Sequence, residues 1–417
     1  MDGGTVLERL RERPAGERLL GALDGLSGVH LVGGAVRDLL VGREPRDLDL
    51  VVLRDGVAVA VELALRLGVP PPVVHGRFGT AALDAGVNVA TARAESYARP
   101  GALPDVRAGS LEDDLARRDF TVNAIAVGVS DDVRGAVSAA PRAFDDLEAR
   151  RLRVLHDRSF VDDPTRLVRL ARYAARLGFE VEKGTAALAR EAFVSGAPAT
   201  AGAARMGNEL LLALHEPDPV ATLATLRDLA AGAPLEPGLE VDEALLRRVS
   251  ALLAADPLAD ESRPRAVDES RPRAAAPALA LLAALVRRLP RDEVRRWLAD
   301  IHLREAPAVL DAVDDPEGLA AAMRAAERPS ELWRLLRRRS PQAVALAGAL
   351  GAEKQARRWL ADLRHVRLAI GGEDLLRAGI AQGPEVGRRL DAALARKLDE
   401  GLGTREEELA AALEVRA

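Results

Sequence analysis

Residues 47–53 read DLDLVVL, two aspartates alternating with two leucines before an apolar run. Alternation of this period belongs to a strand with one buried face, because successive side chains point to opposite sides. Leu48 and Leu50 then face a core, and Asp47 and Asp49 project from the other face, roughly 6–7 Å apart along the strand. Alone, such a pair is best read as a solvated strand edge with Asp47 in the preceding turn. Upstream, however, residues 31–34 (LVGG) end a short apolar strand in a glycine pair, and a helical pattern begins at once. Glycine lets a backbone approach a ligand closely, and the first free N–H groups of a new helix are a seat for phosphate. A phosphate seat beside two carboxylates that can share divalent ions about 3.5–4 Å apart suits in-line attack at phosphorus.

The rest of the composition narrows the class. A chain of 417 residues is too long for one ordinary core and predicts two to four domains. No apolar run is long enough to span a bilayer, and the first residues (MDGGTVLERLRERP) have no signal-peptide core, so a cytoplasmic protein is expected, with no membrane partner. There is no cysteine, so any metal must be held by carboxylate or histidine. The net charge of −5 does not advertise a nucleic-acid binder. Positive charge is nevertheless local, dense at 150–176, 334–339 and 357–367 and almost all arginine. Single runs of this kind are ordinarily solvated helix faces; arginine also suits phosphate recognition.

Along the first 150 residues, strand-like runs at 29–32, 48–53, 80–83, 87–92 and 121–127 are punctuated by helical patterns at 35–40 and 57–67. That is an α+β domain. From about Asp163 the pattern turns helical, with Leu167, Leu170, Ala171, Ala174 and Leu177 forming one apolar stripe. The expected organisation is a head at 1–150, a neck at 151–215, a body at 216–320 and a tail at 321–417. Within the body, DESRPRA occurs twice, at 260–266 and 268–274. Rich in charge and proline, it cannot bury a core and predicts a surface insertion.

The segment 31–53 resembles the signature of class II tRNA nucleotidyltransferases, the branch of the polymerase-β-like superfamily that also contains bacterial poly(A) polymerases. Further blocks follow in the family's order: VNVATARAESYARPGALPDV at 87–106, LARRDFTVNAIA at 115–126, DDPTRLVRLARYAARLGF at 162–179 and IGGEDLLRAGIAQGPEVGRRL at 370–390. The resemblance implies a polymerase-β-like nucleotidyltransferase head followed by an all-α neck, body and tail. It implies attack of the tRNA 3′-OH on the α-phosphorus of CTP or ATP, with release of pyrophosphate. Asp47 and Asp49 would hold Mg²⁺, and Gly33, Gly34, Arg37 and Arg118 would seat the nucleotide. The tail would bind tRNA.

Asp119 and Asn123 read as architectural. In Asp162-Asp163-Pro164, Asp163 is a natural N-cap with Pro164 at the first helical position. The functional reading has Asp163 and Arg166, three apart, offering an acceptor and donors to a base edge. Cytosine and adenine both carry an exocyclic amino donor beside a ring-nitrogen acceptor, so one such pair serves both without a template. By resemblance Arg169 and Arg172 are also nucleotide-binding positions, though helical geometry makes them phosphate or framework contacts rather than base readers. One departure is Asn88, where the family places a third acid. A rival metal reading at His156-Asp157 lacks further ligands in the sequence. Alternatives to complete CCA addition are addition of CC or A alone, poly(A) synthesis, and a non-catalytic RNA-binding relative.

Overall fold

The computed structural model describes residues 3–75, 79–84, 86–235, 238–254 and 276–415. The duplicated DESRPRA segment lies outside the described residues. The chain divides into two compact units, residues 1–236 and 237–417.

The strands of the head are β1 (Val29–Val32), β2 (Leu48–Val52), β3 (Val73–His75), β4 (Thr80–Leu83), β5 (Val87–Thr91), β6 (Arg93–Ser96), β7 (Asp105–Ala108), β8 (Ile125–Gly128) and β9 (Val137–Ala139). Seven of them make one mixed sheet with the order β3-β4-β5-β2-β1-β8-β9. The other two, β6 and β7, form a separate antiparallel pair. Only β2 and β5 run parallel within the large sheet, with Asp49 directly opposite Asn88.

The central strands are buried because they carry Val, Leu and Ile on both faces, and helix Gly56–Leu67 covers one side through Val59, Ala60 and Leu63. Gly56 makes this possible: its N–H donates to Thr91 Oγ1 (3.0 Å), and a Cβ there would sit 2.7 Å from the Thr91 nitrogen.

One expected strand is shorter than its sequence suggests. Residues 121–127 split into a 3-10 turn at Thr121–Asn123 and a strand from Ile125. The cause is polar. Thr121 Oγ1 donates to Asp146 Oδ2 (2.8 Å) and Asn123 Nδ2 donates to Asp119 Oδ1 (2.9 Å), bonds that compete with ladder pairing. A short parallel pair, Arg151–Leu152 with Glu180–Val181, interrupts the otherwise helical stretch from 151 to 215.

The stripe expected after Asp163 forms helix Thr165–Leu177, with Leu167, Leu170, Ala171 and Leu177 buried. Helix Ala203–Leu214 and helix Pro219–Ala230 pack against it.

The second unit is helical throughout its described residues, from Glu243–Ala254 to Arg405–Leu413. Its core is organised around helix Ala276–Val286. Ala278 through Val286 are all buried, as a helix apolar on every side must be. A mixed α+β head followed by a largely helical remainder is therefore the architecture. No described helix is long and apolar enough to cross a membrane.

Candidate active site

A cavity of about 760 Å³ opens in the first unit, and the sequence motifs converge on it: Asp47, Asp49, Asn88, Arg118, Asp163 and Arg166 all belong to its lining. Gly34, Arg37, Arg169 and Arg172 also line it. Gly33 supports it from just outside, with φ +72° at the junction between β1 and helix Gly34–Leu40.

Strand β2 starts at Leu48, so Asp47 stands immediately before the strand and is exposed, while Asp49 lies within it and is half-buried. Leu48 and Leu50 are buried, as the alternation requires. Asn88 is the direct neighbour of Asp49: its Nδ2 donates to Asp49 Oδ1 at 3.0 Å. The amide occupies one oxygen of the carboxylate where a third acid would have stood beside it.

The arginine pair 117–118 is anchored by a carboxylate that the motif reading overlooked. Asp114 is fully buried and accepts from Arg117 Nη2 at 2.6 Å and from Arg118 Nη2 at 2.9 Å. Burial opposes its charge, but Arg118 and Arg117 outweigh that and hold its carboxyl below the ordinary value. Arg118 Nε is buried with no hydrogen-bond partner. A guanidinium N–H left without an acceptor in a buried position is an unusual expense in a native fold.

Behind this pair lies a polar network that fixes the floor of the cavity. Asp119 is buried and accepts from Arg169 Nη2 (2.6 Å) and from Asn123 Nδ2 (2.9 Å). Burial pushes its pKa up, yet Arg169 and the Asn123 bond prevail and bring it down to about 2. Asn123 Oδ1 in turn accepts from Arg37 Nη1. Arg37 is only 1% exposed and forks onto Asp38, 2.8 Å from Nε and 2.7 Å from Nη2. Tyr173 sits among three guanidinium groups, those of Arg37 (5.2 Å to the ring centroid), Arg169 (5.6 Å) and Arg176 (4.8 Å).

Arg172 is similarly engaged, with Glu209 Oε2 at 2.6 Å and Glu216 Oε1 at 3.1 Å. Arg46 and Arg176 share that same buried Glu216. Arg166 donates through Nη1 to Ser159 Oγ and through Nη2 to the Arg117 carbonyl, each at 2.7 Å.

Asp163 does not lie on the helix face with Arg166. Its backbone is extended (φ −135°, ψ 92°), Pro164 is the N-cap, and the helix begins at Thr165. The carboxylate still caps, accepting from the Thr165 N–H at 3.2 Å, and both side chains line the cavity without sharing one helix face. Sequence reasoning missed two groups here: Tyr97, which lines the cavity and whose hydroxyl donates to Glu95 Oε2 at 3.2 Å, and Arg205, which is not part of the lining but donates to Asp163 Oδ1 at 2.8 Å. Burial pushes the Tyr97 phenol up to about 12, with Arg166 acting against it. At His156-Asp157 no metal centre assembles: among the described residues no group of three or more His, Asp or Glu side chains could hold an ion.

Residues 29–153 match the Poly A polymerase head domain. The A-adding tRNA nucleotidyltransferase of Geobacter sulfurreducens is 32% identical over 395 residues, covering 91% of this chain and 44% of that protein. The CC-adding tRNA nucleotidyltransferase of Deinococcus radiodurans is 44% identical over 221 residues, covering 52% of this chain and 57% of that protein. A solved structure of the Thermotoga maritima CCA-adding enzyme complexed with tRNA superposes with a TM-score of 0.74 at 26% identity, covering 99% of this chain and 98% of that one. Over most of its length the chain is similar to class II tRNA nucleotidyltransferases. It spans about half the length of the curated relatives just described. Within this chain, the matched head domain holds Asp47, Asp49 and the 117–119 motif, and Asp163 and Arg166 follow just beyond it.

Proposed function

We propose that this chain is a nucleotidyltransferase that adds C and/or A to the 3′ end of tRNA without a nucleic-acid template, using CTP and ATP and releasing pyrophosphate. The observation that carries the reading is the convergence of Asp47 and Asp49, the Arg118 guanidinium, and the Asp163/Arg166 pair on one cavity. Each supplies a different part of nucleotidyl transfer. Arg118, tied to Asp114 at one Nη, lines the cavity and brings a positive guanidinium to a polyphosphate oxygen. Asp163 and Arg166 present an acceptor and donors to the base edge. Arg169 and Arg172, held by Asp119, Glu209 and Glu216, keep the helix that carries Arg166 in place. Arg37 supports the same framework through Asn123 and Asp38, while its neighbours Gly33 and Gly34 leave room for phosphate.

Asp47 and Asp49 fit Mg²⁺, a hard cation that takes carboxylate oxygens and usually completes its shell with substrate phosphates. Asn88 occupies Asp49 Oδ1 and leaves Oδ2 to the ion. When bound, Mg²⁺ supplies charge stabilisation at the α-phosphate and lowers the pKa of the attacking hydroxyl. The helical second unit, with its arginine-rich faces, would hold tRNA.

A narrower second reading, addition of the terminal A alone, is favoured by the A-adding relative aligned over 91% of this chain. Both are tested by offering tRNAs that lack the last three nucleotides, lack only the last, or are complete, with CTP, ATP or both, and sizing the products. Extension by three nucleotides establishes full CCA synthesis, and extension of only the second tRNA by ATP establishes the narrower activity. No extension of any tRNA under any condition defeats the proposal.

A further inference from the structure

We propose that Arg205 is a positioning residue for base selection, pinning one oxygen of Asp163 so that the other is presented to the nucleobase. The inference rests on the reading of Asp163 as a base-contacting residue. Arg205 belongs to helix Ala203–Leu214, outside the segments whose motifs suggested nucleotide contact.

The carboxylate of Asp163 is used asymmetrically. Oδ1 accepts from Thr165 Oγ1 at 2.6 Å, from Arg205 Nη2 at 2.8 Å and from the Thr165 N–H at 3.2 Å. Among the described residues no hydrogen bond reaches Oδ2. Three donors saturate one oxygen of a carboxylate, so rotation of the group would break all of them at once. Because Asp163 lines the cavity, the remaining oxygen is an acceptor held in a fixed direction. Cytosine and adenine offer an amino N–H to such an acceptor. Uracil and guanine have a carbonyl oxygen at the corresponding edge, and two acceptors would then face each other.

Arg205 makes this orientation depend on a second element. Its Nη1 donates to the Gly101 carbonyl at 2.8 Å, in the segment between β6 and β7. That segment approaches helix Ala197–Thr200 so closely that a Cβ on Gly101, itself at φ +66°, would lie 2.3 Å from Thr200 Oγ1. A single guanidinium therefore staples the 101 segment, the neck helices and the base-reading carboxylate together.

The test uses the full chain and a tRNA that the parent extends, with kcat and KM measured for CTP, ATP, UTP and GTP. Arg205→Gln is expected to raise UTP and GTP incorporation about tenfold relative to CTP and ATP, the value of one charge-assisted hydrogen bond. The change should appear mainly in KM for the correct nucleotides. Arg205→Lys, which keeps a charged donor, should recover much of the selectivity. Gly101→Ala, which disturbs the staple from its other end, should move the ratio in the same direction. Thermal unfolding of each variant establishes that it is folded. A folded Arg205→Gln protein with the parent's four-nucleotide ratio overturns the inference, as does an equal fall in kcat for all four nucleotides, which marks a purely structural role. A parent chain that extends tRNA without choosing among the four bases instead overturns the Asp163 reading itself, and the inference with it.

Discussion

Gly33 and Arg118 compete for one volume: a Cβ on Gly33 would sit 2.5 Å from Arg118 Nη1. Gly33 is also held at φ +72°, a conformation that L side chains rarely adopt. Gly33→Ala should therefore cost about 1–3 kcal/mol in backbone strain and displace the guanidinium. Urea unfolding reads the first effect. A rise of about tenfold or more in KM for the nucleotide, the loss of a charge-assisted contact, reads the second. A destabilised variant with unchanged KM would mean that Arg118 serves the fold and not the nucleotide.

The Asn88–Asp49 bond leads to a prediction about metal. In Asn88→Asp a second carboxylate replaces the donor 3.0 Å from Asp49 Oδ1, and the two charges repel unless a cation lies between them. The variant should unfold at a lower temperature than the parent in EDTA and gain more from added Mg²⁺, with less Mg²⁺ needed for half-maximal activity. Equal Mg²⁺-dependent shifts for parent and variant would place the metal away from Asn88. Asp47→Ala and Asp49→Ala should each abolish nucleotide addition while leaving the unfolding midpoint nearly unchanged, because neither side chain is buried.

Asp119 makes the fold acid-sensitive in a specific window. Its folded pKa of about 2 lies below the ordinary 3.8, so its contribution is complete above the unfolded value and is lost as pH falls from about 4 towards 2. Asp119→Asn should remove that segment of the stability–pH curve measured by urea unfolding. Asp119→Ala, which strands Arg169, should cost about 3–5 kcal/mol. An Asp119→Asn curve parallel to the parent's from pH 4 to 2 would contradict this assignment.

The second unit carries an arginine-rich face that tests tRNA binding. Arg337 lies over the Trp333 ring at 5.3 Å and 3.7 Å from Asp391, and Arg338 is exposed. Substituting both by Ala should weaken tRNA binding and flatten the dependence of log K on log salt by about 1.5, as expected for two lost phosphate contacts. Filter binding between low and moderate salt measures both. An unchanged slope would assign this run to solvated surface.

Much of the head was legible because its signals are local. Alternation at 47–50, the glycine pair before a helix and the stripe from Leu167 to Leu177 each depend on period and turn chemistry within a few residues. The placement of Asp49 opposite Asn88 was legible only as a missing acid; the hydrogen bond needed the parallel pairing of β2 with β5, 39 residues apart in sequence.

The arginines show where local reading stops. Arg37 and Arg172 occupy motif positions, and the family resemblance makes both nucleotide-binding positions, with Arg172 a phosphate or framework contact by helical geometry. The tertiary structure pairs Arg37 with Asn123 and Asp38 and gives Arg172 to Glu209 and Glu216, while Arg166, braced by Ser159 and the Arg117 carbonyl, still lines the cavity. A buried guanidinium must find acceptors wherever the packing brings them, and these come mostly from elements tens of residues away. Sequence by itself determined the residue types that face one cavity and the order in which the chain delivers them. Only the tertiary structure decided which of those side chains are consumed by the protein and which, such as Asp163 through its Oδ2, can still accept a bond, because that depends on long-range partners that no local pattern encodes.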